Sequence, residues 1–173
     1  MKKNLLIVHT GDGKGKTTAA LGLTFRAVGY GFRVAVIQFI KGGRHTGEMV
    51  TAARLSDLID FTVAGRGFTW RSDDLEKDAA LAREAWASAR AKIASGEYRL
   101  VILDEMTYLF KYGMVDEDEV IRFLAGRPAT VHVVITGRGA SEKLCAAADL
   151  VTEMRAVKHP YAAGIPAQKG IEF

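Results

Sequence analysis

The sequence predicts an α/β fold, a mostly parallel sheet with helices on both faces, and three observations carry that expectation. Short apolar runs alternate with longer segments of helical periodicity along the whole chain. Runs such as Val34-Ala35-Val36-Ile37 and Leu100-Val101-Ile102-Leu103 are apolar at successive positions, as in strands covered on both faces. The chemically distinctive residues follow directly after such runs, at strand carboxyl ends, where open parallel sheets bind their ligands.

Asn4 to His9 reads as a short buried strand entering a glycine-rich turn. Lys16 to Tyr30, rich in alanine and leucine, reads as a helix closed by Gly29 and Gly31. Arg33 to Ile40 is the second strand, and Gly42, Gly43 and Gly47 follow in a loop before a short helix near Glu48 to Leu55. Ile59 to Val63 is a third strand. The longest helix runs from about Asp73 to Ala94: Leu75, Ala79, Ala82, Trp86, Ala89 and Ile93 step by four and three along one stripe. Asp73, Asp74 and Glu76 stand in its first turn, where the helix dipole favours acids. Arg99 to Leu103 is the fourth strand. Asp116 and Glu119 match a capping box for a helix ending at Gly126. Thr130 to Thr136 is a fifth strand, Ser141 to Ala148 a helix, and Leu150 to Met154 a last strand.

A chain of 173 residues suits one domain, and three prolines leave little room for a disordered linker. No apolar run approaches the roughly 18 residues that cross a bilayer, so no membrane association is expected. Met1-Lys2-Lys3 precedes an apolar stretch, but that stretch runs into Gly11-Asp12-Gly13-Lys14 rather than a small-residue cleavage site. Cys145 is the single cysteine, in an apolar helical setting that suits a buried and inert thiol. A cytoplasmic address is expected. The net charge of +4 permits an anionic partner, but the basic residues are dispersed, and a nucleic acid is not expected.

Thr10-Gly11-Asp12-Gly13-Lys14-Gly15-Lys16-Thr17-Thr18 joins the first strand to the first helix. Gly15-Lys16-Thr17 is the end of a Walker A motif in its required strand-loop-helix setting. Glycines let backbone N–H groups turn toward phosphate oxygens, and the helix N-terminus adds partial positive charge. Gly11, Asp12, Gly13, Lys14, Gly15, Lys16, Thr17 and Thr18 are therefore the candidate nucleotide-binding residues, with Lys16 neutralising phosphate charge. The motif departs from pattern at its first position, where Thr10 replaces glycine. Leu100-Val101-Ile102-Leu103-Asp104-Glu105 is the Walker B counterpart. Thr17, Asp104 and Glu105 are the candidate ligands for Mg2+ or Mn2+, since such a cation takes a few carboxylates plus phosphate oxygens. The fold narrows to a P-loop NTPase-like α/β sheet.

Four segments resemble the ATP:corrinoid adenosyltransferases of the P-loop type, which act on cob(I)alamin or on precursors such as cob(I)yrinic acid a,c-diamide. They are Thr10 to Ala20, Ile37-Gln38-Phe39-Ile40-Lys41-Gly42, Gly67-Phe68-Thr69-Trp70, and a carboxyl-terminal stretch. The last includes Ile135-Thr136-Gly137-Arg138-Gly139, Val157-Lys158-His159-Pro160-Tyr161 and Ala167-Gln168-Lys169-Gly170-Ile171-Glu172. The family's loop also opens with Thr-Gly, matching Thr10. The resemblance implies that cob(I)alamin or a precursor corrinoid attacks the 5′ carbon of ATP and expels triphosphate. Lys14 and Lys16 would then stabilise the charge on the leaving group, and no general base is needed because the nucleophile carries no proton. Glu105 would serve the cation. Phe68 and Trp70, which by spacing alone fit one face of a core strand, become candidates for closing the lower face of the corrin. Arg138 would meet phosphate or corrin amides. The resemblance further implies a flavoprotein electron donor, a homodimer, and a tail from Lys158 onward that packs near the active site.

The Walker residues alone leave other functions open. A P-loop ATPase or nucleoside kinase would release phosphate or transfer it. A non-catalytic nucleotide switch would bind tightly without turnover.

Overall fold

The computed structural model describes residues 4–40, 42, 46–65 and 75–173. Six strands, β1 (Leu6–Thr10), β2 (Val34–Gln38), β3 (Ile59–Val63), β4 (Leu100–Asp104), β5 (His132–Thr136) and β6 (Leu150–Glu153), form one sheet. Their order is β3-β2-β4-β5-β1-β6, and every neighbouring pair is parallel. The helices are α1 (Lys16–Val28), α2 (Gly47–Arg54), α3 (Leu75–Ser95), α4 (Met106–Lys111), α5 (Glu117–Ala125) and α6 (Glu142–Ala147).

Side chains alternate between two cores, as the period of two in a strand requires. Val34, Val36, Ile102 and Val134 face Ala20 of α1 and Ala52 of α2. Ala35, Ile37, Leu103 and Ile135 face the other way, onto a core shared with α3, α4, α5 and α6. The stripe read along α3 is the buried one: Ala82, Trp86, Ala89 and Ile93 are all inside. Trp86 meets Phe123 edge to face, with ring centroids 5.7 Å apart, which ties α3 to α5. Covering on both faces explains why the central strands are apolar throughout rather than alternating.

Helix ends follow local chemistry. Asp116 caps α5 by accepting from the Glu119 N–H at 2.7 Å. The reciprocal half of the box is not made, because the Glu119 carboxylate pairs with Arg90 instead, at 2.6 Å. Ser141 caps α6 through the Leu144 N–H. Helix α1 ends at Val28, two residues before the expected Tyr30: Gly29 keeps right-handed helical angles, and Gly31 at φ 74° makes the turn.

Other expectations shift. Helix α4 had no counterpart in the sequence reading; it follows β4 directly, and Met106 and Leu109 bury its inner side. Strand β6 forms where expected but as an outer strand, with Leu150 and Val151 exposed. Cys145 is half-buried rather than fully enclosed. No helix among the described residues is long and apolar enough to cross a membrane.

The fold's job for the site is alignment. Parallel register sets His9 level with Thr136, Leu103 level with Ile135, and Gln38 level with Asp104. The carboxyl ends of β2, β4, β5 and β1 therefore finish in one row. Beyond that row, Gly137 turns the chain at φ 141° against Thr107, where an added Cβ would lie 2.0 Å from Oγ1. Thr107 in turn donates to the Arg138 carbonyl at 2.8 Å, locking α4 to the loop after β5. Gly137→Ala should lower unfolding free energy by at least about 2 kcal/mol in urea denaturation; wild-type stability would contradict this packing.

Candidate active site

The loop between β1 and α1 is shaped by two glycines in left-handed conformations, Gly11 at φ 92° and Gly15 at φ 112°. It is pressed against the segment that follows β6. A Cβ on Gly13 would lie 2.6 Å from the Met154 carbonyl oxygen, and the Gly13 N–H donates to that same oxygen at 2.6 Å. The Thr10 departure also has a structural use: its hydroxyl accepts from the Ala140 N–H at 3.1 Å, a tie that glycine could not make. The loop is thus braced from both sides, by β6 and by the β5–α6 connection.

Lys16, the first residue of α1, curls back so that its ammonium donates to the carbonyls of Gly11 at 2.7 Å and Gly13 at 2.6 Å. Burial pushes it below the ordinary lysine range; Glu105 opposes that shift and Arg138 adds to it. The first-turn N–H groups of α1 have no intrahelical acceptors and open toward the same space.

Behind the loop lies Asp104, fully buried at the end of β4. Its Oδ1 accepts from the Thr17 hydroxyl at 2.8 Å and the Thr136 hydroxyl at 2.6 Å. Its Oδ2 accepts from the Gln38 amide at 3.0 Å. The Thr136 oxygen also accepts from the Glu105 N–H at 2.9 Å. Glu105 sits at φ 62°, the one non-glycine residue in the left-handed region among those described. That conformation ends β4 abruptly, starts α4, and places Glu105 in the cleft beside Lys16.

These elements enclose a cleft of about 710 Å³. Asp12, Gly13, Lys14, Gly15, Lys16, Thr17 and Thr18 line it from the loop and the start of α1, and Glu105 and Arg138 line it from beyond β4 and β5. Gly11 braces the loop, and Asp104 stands one layer back, touching the cleft through Thr17. Phe68, Trp70 and Lys41 lie outside the described residues. Four linings were not read from the sequence: Leu21 of α1, Gly47 and Glu48 at the start of α2, and Tyr108 of α4. The Tyr108 ring stacks on Tyr112 with centroids 6.2 Å apart. Burial, with the charge of Glu105, pushes its hydroxyl above the ordinary tyrosine range. Two tyrosines four apart, directly after an acidic pair, were the available signal. The tail contributes as well, with His159, Gly170, Ile171, Glu172 and Phe173 along one rim.

Similarity to known proteins bears on this cleft. The family model for ATP:corrinoid adenosyltransferase BtuR/CobO/CobP matches residues 2–173. The chain belongs to that family. It is 45% identical to a corrinoid adenosyltransferase of Pseudomonas aeruginosa over 172 residues, 99% of this chain and 85% of the relative. It is 42% identical to the Escherichia coli K12 corrinoid adenosyltransferase and 41% to corrinoid adenosyltransferase CobA of Salmonella typhimurium, each spanning 99% of this chain and 87% of the relative. Among solved structures, the flagellar accessory protein FlaH of Methanocaldococcus jannaschii aligns with a TM-score of 0.57 and 13% identity. That alignment covers 87% of this chain and 70% of the other, a likeness of fold alone.

Beneath the loop, buried His9 faces the Lys16 carbonyl at 3.4 Å. Burial holds its imidazole below the ordinary histidine range, outweighing the opposite effect of that carbonyl. His132, on the same sheet, is lowered by burial and then by Arg99 and Arg127. Both stay neutral in the fold while the unfolded chain takes up protons. Their contribution is therefore complete above about pH 6.5 and is lost as pH falls toward the folded values. Urea denaturation from about pH 7.5 down to about pH 5 should show falling stability, with a shallower fall in His9→Gln. Equal slopes would contradict a neutral buried His9.

Proposed function

We propose that this protein transfers the 5′-deoxyadenosyl group of ATP to the Co(I) of a reduced corrinoid, with triphosphate as leaving group. The observation that carries the reading is the cleft itself. A braced P-loop with Lys14, Lys16 and the α1 N-terminus lines a cleft of about 710 Å³ together with Arg138, in a chain of this family throughout. Such a pocket suits a nucleotide.

The reaction asks for charge neutralisation rather than proton transfer. The Co(I) nucleophile carries no proton, so no base is required at the 5′ carbon. The polyanion that departs is met by Lys16, Lys14 and first-turn N–H groups, donors already oriented before reaction. Lys16 is suited to this role because desolvation strengthens its pull on a phosphate that replaces the loop carbonyls.

A divalent cation fits the oxygen donors present. Among the described residues no group of three or more His, Cys, Asp or Glu side chains gathers to hold a metal unaided. The Thr17 hydroxyl and the Glu105 carboxylate would share Mg2+ or Mn2+ with phosphate oxygens, with Asp104 acting from the layer behind through the Thr17 hydroxyl that it holds. The cation would supply additional charge neutralisation on the triphosphate.

Phe68 and Trp70 are proposed to close the corrin's lower face and exclude its axial base, which eases reduction to Co(I). A flavoprotein donor and a homodimer complete the proposal. The apolar side chains exposed on β6 and the tail, Leu150, Val151, Val157 and Tyr161, supply surface for such contacts.

The test is formation of the cobalt–carbon bond, followed by absorbance with ATP, magnesium and chemically reduced cob(I)alamin. Wild-type protein should turn over, and Lys16→Ala should lose at least about a hundredfold in kcat, the scale of removing one preorganised charge donor. Near-normal turnover in Lys16→Ala would remove the P-loop from the mechanism. Phe68→Ala and Trp70→Ala should lose more activity starting from cob(II)alamin than from pre-reduced cob(I)alamin. Equal losses in the two assays would assign both residues to packing.

A further inference from the structure

One contact in the cleft has no part in the transfer step. The chain end folds back so that Gly170, Ile171, Glu172 and Phe173 stand along its rim. The turn is internally held: the N–H groups of Ile171 and Glu172 both donate to the Gln168 carbonyl, at 3.2 Å and 2.8 Å. Gly170, at φ 80°, donates to the Phe173 carbonyl at 2.8 Å. Glu172 is therefore presented from a formed turn rather than from a loose end. Its Oε2 accepts from the Lys14 ammonium, joining the tail to the P-loop across 158 positions of sequence. The Glu172 side chain is only 19% exposed, against 39% for Lys14, so the pair lies at the edge of the cleft rather than in open solvent.

A carboxylate on a P-loop lysine is an internal anion placed where a polyanion is to bind. One ammonium cannot serve both at full strength. Any polyphosphate that reaches Lys14 must displace Glu172, and its affinity is reduced by the strength of the pair. The same competition works in reverse after reaction, when product release governs turnover in many enzymes.

We propose that Glu172 is an internal competitor for the triphosphate: it holds Lys14 when the loop is free, yields to ATP, and returns to hasten departure of the released triphosphate. This rests on the reading that triphosphate lies along the P-loop. Glu172 acts through Lys14 and touches no reacting atom, so it is a positioning residue and not a catalytic one.

The probe is inorganic tripolyphosphate with magnesium, titrated calorimetrically into full-length wild type, Glu172→Gln, Lys14→Ala and the double variant at constant ionic strength. Glu172→Gln keeps the side chain's shape and removes its charge. It should bind tripolyphosphate about two- to fivefold more tightly than wild type, the range of a partly exposed ion pair. Lys14→Ala should bind more weakly, and in that background Glu172→Gln should give no further gain. In wild type, amide exchange of residues 168–173 should accelerate as tripolyphosphate saturates the site, a readout that needs no variant to fold. Equal or weaker binding by Glu172→Gln, the same gain without Lys14, or unchanged tail exchange would overturn the proposal. Failure of both wild type and Glu172→Gln to bind tripolyphosphate would overturn the parent reading with it.

Discussion

The buried carboxylate of Asp104 is the constraint on which the rest of the site depends. It stands fully enclosed at the end of β4, where an ionised group without partners would be costly. Hydroxyls from Thr17 and Thr136 and the amide of Gln38 supply those partners. Three hydrogen bonds thereby tie α1, β5 and β2 to one side chain. The tie fixes where the P-loop helix begins relative to the sheet. It also sets Thr136 to receive the Glu105 N–H, so that Glu105 leaves β4 in a left-handed turn and enters the cleft. Removing one partner would leave the others around an unmatched buried group, a cost of about 1–3 kcal/mol.

With that frame in place, the charges of the cleft are arranged for an anion that arrives and leaves as a unit. Lys16 rests on two loop carbonyls, Lys14 on a tail carboxylate, and Arg138 joins the lining from the turn beyond β5. Lys16 and Lys14 each rest on oxygen acceptors of the protein, which phosphate oxygens can replace one for one. Preorganised donors of this kind act where charge develops, which in the proposed transfer is the departing triphosphate.

Much of this was legible in the sequence because it rests on local signals. The strand-loop-helix order around Gly15-Lys16-Thr17 and the apolar run into Asp104-Glu105 locate both walls of the cleft. Apolar periodicity located α3, and a capping residue located the start of α5. What escaped depends on three-dimensional packing. Helix α4 is six residues long and begins only because Glu105 adopts a positive φ, which no propensity at that position announces. Tyr108 enters the cleft on that helix and was missed with it. The role of Thr10 lies in a bond to Ala140, 130 residues away, and the pairing of Lys14 with Glu172 spans 158. Such contacts carry no pattern in one sequence; only the family resemblance brought the tail near the site.

The central claim is that this P-loop serves a leaving triphosphate and not a transferred or hydrolysed phosphoryl group. Phosphorus NMR of ATP incubated with the protein and magnesium, with and without reduced corrinoid, tests it most directly. Intact triphosphate should appear in step with adenosylated corrinoid, and ATP should stay unchanged when corrinoid is left out. ADP and orthophosphate formed from ATP alone, with no triphosphate in either sample, would contradict it.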